Sequence, residues 1–291
     1  MKDRKEANRP CMTASQQTIT NPTINKKTKQ SKQMKKYLIA TIAGLVAVTM
    51  TMAQEYKVTK STGKLVISLG SVRVEGYNGT EIVFTNDRGE REVDERAKGL
   101  QPINGSGLVD NTNLGINVSD KGATIEVKQV SSKDNKIKIM VPKGMSVSYS
   151  NTGVMNSGKA SFKNLESELD ITVQYNSLSL ENVTGPMAVK ATYGSIDATF
   201  KDAIKGPISI VSIYGHVDVS LPVAVKANLS MKTSYGEILA SGDLKIDVER
   251  TPGKEDMVSY SNNNVKGKMN GGGAELSLRS DYSKIYLRKA N

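Results

Sequence analysis

A pattern centred on a tyrosine occurs five times between Leu169 and Leu287, and it constrains the fold more strongly than any other feature of the sequence. A large aliphatic residue stands six positions before each tyrosine, and another stands three positions after it. The residue directly after the tyrosine tolerates tight turns. The tyrosines are Tyr175, Tyr193, Tyr214, Tyr235 and Tyr282, and the residues that follow them are Asn176, Gly194, Gly215, Gly236 and Ser283. Each copy therefore predicts a strand, a corner and a second strand.

The apolar positions within one copy indicate how such a chain coils. Val189, Ala191 and Tyr193 alternate, and after a three-residue step Ile196 and Ala198 alternate again. Side chains of a strand alternate between two faces, so an odd step keeps the apolar set inward only where the backbone turns. We therefore expect the Tyr-Gly dipeptide to form a corner with a positive φ at the glycine. We also expect the tyrosines of successive copies to form a ladder.

The spacing of the copies predicts the architecture. The first four tyrosines lie 18, 21 and 21 residues apart, and the last gap of 47 is close to two such periods, with a blurred copy around residues 260–265. Repeats of this length are typical of solenoids, whose rungs are stable only as a stack. We predict an all-β protein, a β-helix or β-solenoid with rungs of about 21 residues. In this stack Ile196 should lie near Val217 and Ile238.

The chain before the regular copies also consists of short β-rich segments. Residues 54–142 form an N-terminal strand region, in which an Asn-Gly turn at Asn78 predicts a hairpin or a tight corner. These hairpins should pack on or cap the repeat region of residues 143–291, in which 145–158 is a degenerate first copy, as one continuous fold. The charged excursion at residues 86–107 is predicted to be a solvated loop, and its sharper alternative is a ligand-binding lid.

The positive charge of the chain lies mostly at its front. The formal net charge is +11, but residues 1–53 contain ten basic and two acidic side chains, which leaves 30 basic and 27 acidic ones for the rest. A nucleic-acid-binding domain requires a basic stripe on its folded surface. The sequence therefore predicts no nucleic-acid partner.

Residues 34–53 have the three regions of a secretory signal peptide. Two lysines precede a short apolar run that ends in small and polar residues, so we expect cleavage after Ala53. An uncleaved anchor is the alternative, at the lower edge of the length that spans a bilayer. Residues 1–33 are then an upstream extension from a misassigned start, with Met34 the initiator, or a disordered tail. We predict an exported protein, periplasmic or at the cell surface of a Gram-negative bacterium, with no stable membrane insertion after cleavage.

The single cysteine, Cys11, lies in this front segment. The mature chain would therefore have no disulfide, no lipid-modified cysteine, no thiol nucleophile and no cysteine ligand for a metal. Its acidic residues do not follow a calcium-loop spacing, and no glycine-rich phosphate loop precedes a helix. We predict no cofactor and no metal, and the pattern leaves the oligomeric state open.

Three polar residues are low-ranking candidates for a site. Asp197 and Asp218 follow their tyrosines by four positions, and His216 is the only histidine. Carboxylates one rung apart would lie about 5 Å from each other, a separation compatible with glycoside hydrolysis. However, they are out of phase with the inward set, and Leu239 takes their place in the next copy. We therefore predict exposed surface residues and no catalytic site.

The segment from Ala227 to Ile238 and the opening stretch from Gly63 to Tyr77 carry a family resemblance. Both resemble the bacterial "putative adhesin" families of unknown function that form β-solenoid domains. The resemblance implies an exported, right-handed β-helix-like domain at the cell envelope, and it supplies no catalytic residues. Our leading hypothesis is a non-enzymatic, adhesin-like or structural module that presents a solenoid surface to a glycan or a protein. The alternatives are a polysaccharide-active hydrolase or lyase, and an envelope-stress or signalling accessory protein.

Overall fold

Short strands make up most of the chain that the computed structural model describes, which is residues 54–86, 95–131, 136–154, 157–249 and 264–290. Within these ranges the structure has a 3-10 turn at Glu95–Ala97, and no helix is long and apolar enough to cross a membrane. The predicted signal peptide and upstream extension lie outside the described residues. In chain order the strands are β1 (Glu55–Val58), β2 (Gly63–Ser68), β3 (Val72–Tyr77), β4 (Ile82–Asn86), β5 (Ile116–Asp120), β6 (Thr124–Gln129), β7 (Ile137–Pro142), β8 (Met145–Asn151), β9 (Lys159–Lys163), β10 (Leu169–Val173), β11 (Ser177–Glu181), β12 (Met187–Ala191), β13 (Ile196–Thr199), β14 (Ile208–Ser212), β15 (Val217–Leu221), β16 (Ala227–Thr233), β17 (Ile238–Ala240), β18 (Ile246–Val248), β19 (Asn264–Met269), β20 (Ala274–Ser280) and β21 (Ile285–Lys289).

These strands form two sheets that enclose one apolar core. Sheet 1 has the order β18-β19-β16-β20-β14-β12-β10-β8-β2-β6-β5, and sheet 2 has the order β1-β4-β7-β3-β9-β11-β13-β15-β21-β17. Each rung consists of one strand from sheet 1 and the next strand of the chain in sheet 2. Alternate side chains of both sheets point inward, which is why the apolar residues recur with a period of two.

The pairing of the repeat copies is parallel and in register. The aliphatic residues six positions before each tyrosine align across sheet 1, and those three positions after it align across sheet 2. In sheet 2, Leu178 pairs with Ile196, and Ile196 pairs with Val217. The predicted all-β solenoid is therefore confirmed.

The spatial order of the rungs departs from the order of the chain. The last copy, β20–β21, lies between β14–β15 and β16–β17, so that Ile285 separates Val217 from Ile238. The expected contact between Ile196 and Val217 is therefore present, but the expected contact between Val217 and Ile238 is wrong. The blurred copy is also wrong where the structure describes it, because β19 runs antiparallel to β16 as an added strand. Residues 260–263 lie outside the described residues.

The first rung is placed in the same way. The rung β2–β3 lies between β6–β7 and β8–β9, so the chain's earliest described rung is not at the end of the stack. The hairpin predicted at Asn78 is wrong, because β7 lies between β3 and β4 and pairs with both. The edges at this end of the stack are instead closed by two antiparallel pairs, β5–β6 in sheet 1 and β1–β4 in sheet 2.

Tyr149 is the largest side chain that is fully buried in the core. Its ring packs against Phe162 with centroids 5.5 Å apart, and its hydroxyl donates to the carbonyl oxygens of Gly70, at 2.7 Å, and Leu69, at 3.1 Å. The loss of water around the phenol raises its pKa above the ordinary tyrosine value, because burial disfavours the charged form.

This burial predicts a loss of stability in alkali. Below the unfolded-state pKa, about 10, the phenol is neutral in both states and its stabilisation is complete; above that pH only the unfolded chain ionises, and stability falls by about 1.4 kcal/mol per pH unit. Tyr149→Phe should cost about 1–3 kcal/mol near neutral pH, because the carbonyl oxygens of Leu69 and Gly70 lose the hydroxyl donor, although Gly70 keeps its hydrogen bond from Asn176 at 2.8 Å. The deficit should shrink at about pH 11, as measured by urea unfolding. An equal deficit at both pH values would contradict the argument.

Candidate functional site

The corner of each rung is closely packed against the next rung. Gly194, Gly215 and Gly236 do not have positive φ, so the expected reason for glycine is wrong. A Cβ added at any of the three would instead overlap the backbone of the neighbouring rung, and at Gly215 it would lie 2.5 Å from the carbonyl carbon of Gly194 and 2.7 Å from the nitrogen of Ser195. Glycine is therefore required because two backbones approach each other closely.

Buried hydroxyls hold these corners together, and the sequence reading missed them. The Ser212 hydroxyl donates to the carbonyl oxygen of Gly194 at 2.8 Å and accepts from the backbone nitrogen of Gly215 at 3.0 Å. The hydroxyls of Thr233 and Ser280 donate in the same way to carbonyls of adjacent rungs. The signal in the sequence is a serine or threonine two positions before the tyrosine in three of the five copies. Rung-to-rung connection at the corner therefore depends on glycine and hydroxyl groups.

The tyrosines form one continuous stack along the outside of this corner, which we call the tyrosine stack. Its spatial order is Tyr175, Tyr193, Tyr214, Tyr282, Tyr235. Neighbouring ring centroids are 5.0–5.1 Å apart and the ring planes differ by 5–12°. The backbone N–H of each tyrosine after Tyr175 donates, at 2.8–2.9 Å, to the carbonyl of the residue before its neighbour, which fixes the rings at the rung spacing.

The rings stand in solvent, although the sequence alternation grouped them with the core residues. Tyr193, Tyr214 and Tyr282 are about half exposed, at 50%, 50% and 54%, and Tyr235 at the end of the stack is 77% exposed. Because neighbouring rings cover each other's faces, the stack presents ring edges and hydroxyls outward. No described residue makes a hydrogen bond to any of the five phenol oxygens. The stack is a contiguous aromatic surface with unused polar groups.

The three polar candidates lie on the outer face of sheet 2. Asp197 and Asp218 are direct partners in the β13–β15 register. Each has its own side-chain partner: the His216 ring nitrogen lies 3.1 Å from Asp197, and Arg288 binds both oxygens of Asp218 at 2.9 Å. The hydrogen bond to Asp218, followed by its charge, raises the pKa of Arg288.

The same row continues with apolar side chains. Tyr286 follows Asp218 in register and Leu239 follows Tyr286. The Tyr286 ring lies edge-on to His216 and under the guanidinium of Arg288, 5.0 Å from the ring centroid. This is a connected surface cluster of ion pairs and aromatic contacts. Glycoside hydrolysis uses two carboxyl groups that flank the bond to be cleaved, one as an acid and one as a base or nucleophile. In this cluster both carboxylates instead contact a neighbouring basic side chain.

A shallow trough of about 580 Å³ lies on the other sheet, at the beginning of the sheet 1 strands. Its floor includes Ala188, Ser209 and Ser277, and its rim includes two stacked prolines, Pro186 and Pro207. Acidic residues border it at both ends. The trough is thus separate from Asp197 and Asp218, and the described residues contain no group of three or more side chains that could hold a metal ion.

Of the excursion predicted at residues 86–107, the structure describes Asn86, which ends β4, and the part from Glu95 onward. This part has the 3-10 turn and an isolated bridge between Ile103 and Val109, and Leu100 and Ile103 are exposed. Its described part does not line the trough. The lid alternative therefore receives no support from the described residues.

The two parallel sheets and the stacked corners place the protein among the β-solenoids. Residues 154–282, which contain all five tyrosines, match the family model described as Toastrack DUF4097, and the predicted family resemblance is confirmed. A structure of a putative cell adhesion protein from Clostridium sporogenes is 15% identical, covering 82% of this chain and 100% of its own, with a TM-score of 0.39. A putative adhesin from Bacteroides fragilis is 10% identical, covering 81% of this chain and 97% of its own, with a TM-score of 0.38. No curated protein matches the sequence.

Proposed function

We propose that this chain is an exported, non-enzymatic, adhesin-like protein of the cell envelope that binds a glycan or a protein through the tyrosine stack. The observation that carries the proposal is a row of five adjoining tyrosines, four of them exposed and Tyr175 partly buried, whose hydroxyls have no hydrogen-bond partner among the described residues. Contiguous exposed apolar surface marks interaction sites, and tyrosine combines contact area with a polar group. The signal-peptide pattern of residues 34–53 supports export.

The tyrosines are not needed to close the corner, which strengthens a binding role. The close backbone approach at the glycines and the buried hydroxyl of Ser212 connect the rungs beneath the rings. Stacking itself contributes about 0.5–1.5 kcal/mol per pair.

The hydrolase alternative is disfavoured by the state of its carboxylates. Arg288 contacts both oxygens of Asp218, so this carboxylate already has a charged partner. Asp197 faces His216 on an open outer surface, and the trough lies on the opposite sheet. We therefore propose binding without turnover.

The proposal predicts that a triple change, Tyr193→Ser, Tyr214→Ser and Tyr282→Ser, lowers binding at least tenfold. Three central rings and their hydroxyls are lost, while the glycines and buried hydroxyls of the corner remain. Binding would be measured on a glycan array and on envelope extract, with circular dichroism to show that the β-structure persists.

Two matched controls accompany this measurement. Ala188→Leu with Ser209→Leu fills the trough and should leave binding unchanged; if it abolishes binding while the serine variant binds normally, the site is the trough. Asp197→Asn with Asp218→Asn should leave bound oligosaccharide intact over time, as in the unmodified protein. Turnover that these two changes remove would support the hydrolase.

A further inference from the structure

The repeat distance of the tyrosine stack is set by the fold. Ring centroids recur every 5.0–5.1 Å along the solenoid axis, and the rings are nearly parallel, so the five phenol hydroxyls recur at about the same interval. A ligand that contacts all five must repeat at this interval along a straight line. This requirement selects among linear polymers.

A single polypeptide chain lying along the stack does not meet the requirement. An extended strand places same-side residues about 6.6–6.8 Å apart, and a polyproline II helix repeats after about 9.3 Å. Neither period matches the stack over four steps. An extended chain of pyranose rings joined through opposite carbons advances by close to the stack's own spacing with each ring.

The exposed chemistry of the stack also limits the ligand. Only the outer faces of Tyr175 and Tyr235, the two end rings, are not covered by another ring of the stack. A ligand along the stack therefore meets ring edges and hydroxyls, which suits hydroxyl groups better than flat aromatic groups.

Two ion pairs lie beside the stack. Arg279 binds Asp281 at 2.7 and 3.0 Å, and Lys284 lies 2.7 Å from Glu237. The hydrogen bonds within these pairs raise the pKa of Lys284 and lower that of Glu237, so both remain charged and compensate each other. Lys190 and Lys232, which stand three positions before Tyr193 and Tyr235, have no ion pair among the described residues, but Val211 and the paired Arg279 lie between them in register. The charges beside the stack therefore form no continuous row of one sign, which favours an uncharged ligand over a polyanion.

We propose that the tyrosine stack binds a neutral, linear polysaccharide of extended shape, which lies along the solenoid axis with one sugar ring beside each tyrosine. The phenol hydroxyls exchange hydrogen bonds with the sugar hydroxyls. This inference rests on the proposed function and narrows its ligand from a glycan or a protein to an extended neutral glycan.

The test uses the full-length chain and three series of oligosaccharides of increasing length. The extended probes are 1,4-linked β-glucose and 1,4-linked β-N-acetylglucosamine, and the control is 1,4-linked α-glucose, whose chain curls and does not advance in line. We expect the Kd of at least one extended series to fall with each added sugar until the chain spans five tyrosines, and then to level off. The α-linked series should bind at least tenfold more weakly.

A second variant separates the hydroxyls from the stack. Tyr193→Phe, Tyr214→Phe and Tyr282→Phe keep the rings, so the unfolding midpoint should stay unchanged while binding of the longest extended probe falls roughly tenfold or more. A Kd independent of length, equal binding of the α-linked series, or full binding by the phenylalanine variant would overturn the inference. If no oligosaccharide binds but the serine variant still loses binding to envelope extract, this inference fails and the proposed function stands. If the serine variant binds that extract normally, both fail.

Discussion

Gly215→Val is expected to destabilise the protein by roughly 3–5 kcal/mol. The added Cβ would lie 2.5–2.7 Å from backbone atoms of Gly194 and Ser195, which cannot rotate away as a side chain can. The rungs would have to separate at the corner, where the Gly215 carbonyl accepts from Ser280 at 2.9 Å and its N–H donates to Ser212 at 3.0 Å. Urea unfolding followed by circular dichroism measures the loss.

The chain offers a matched control for this substitution. Gly242 lies in a turn with a φ that other residues can adopt, and no atom lies within 4 Å of where its Cβ would be placed. Gly242→Val should therefore change the free energy of unfolding by less than about 0.5 kcal/mol. If both variants unfold at the same urea concentration, close approach at the corner is not what requires glycine.

The rung itself could be predicted because its register follows from side-chain alternation. The aliphatic residues at fixed distances from each tyrosine, such as Ile196 and Val217, must all face inward, and a shift of one residue would expose the whole set. The all-β class and the stacking of corners follow from this one constraint. Both are therefore visible in a single sequence.

The order of the rungs could not be predicted by the same means. Every copy presents the same kind of apolar face, so the pattern around Tyr282 is compatible with a place after Tyr235 or before it. The position of the last copy depends on how β19 and β20 pair with opposite sides of β16. These pairings join residues far apart in the sequence. The hairpin predicted at Asn78 is wrong for a similar reason, because the local signal cannot show that β7 inserts between β3 and β4.

The sequence predicts the corner at each tyrosine, but it does not predict which of the corner residues are exposed or why glycine is required. Tyrosine counts as apolar in an alternation pattern, so Tyr193 was grouped with the core although half of it is exposed. Glycine after it suggested a positive φ, whereas the limiting factor is the distance to the next backbone. Both the exposure of the tyrosine and the need for glycine depend on the distance between neighbouring rungs. A pattern along one sequence carries no information on that distance.

Removing residues 271–291 is expected to abolish cooperative unfolding, although it removes only the last rung of the chain. The strands β20 and β21 are paired on both sides, and they bury Leu276, Leu278, Ile285 and Leu287 almost completely. Each such side chain contributes about 1.5–3 kcal/mol. The sum is comparable to the whole stability of a domain, about 5–15 kcal/mol. Thermal unfolding and 8-anilinonaphthalene-1-sulfonate binding would measure the loss of packing.

The position of a rung in space, not its position in the chain, should decide the size of this effect. Removal of residues 54–60 takes away β1, an edge strand with no fully buried residue that pairs only with β4, and should lower stability by only a few kcal/mol. Removal of Ala290 and Asn291 alone leaves β21 whole and should have little effect. A synthetic peptide of residues 271–291 added to the truncated chain should restore a cooperative transition, because the gap between β14–β15 and β16–β17 accepts one rung. A truncated chain that unfolds at the original midpoint would contradict the intercalated order.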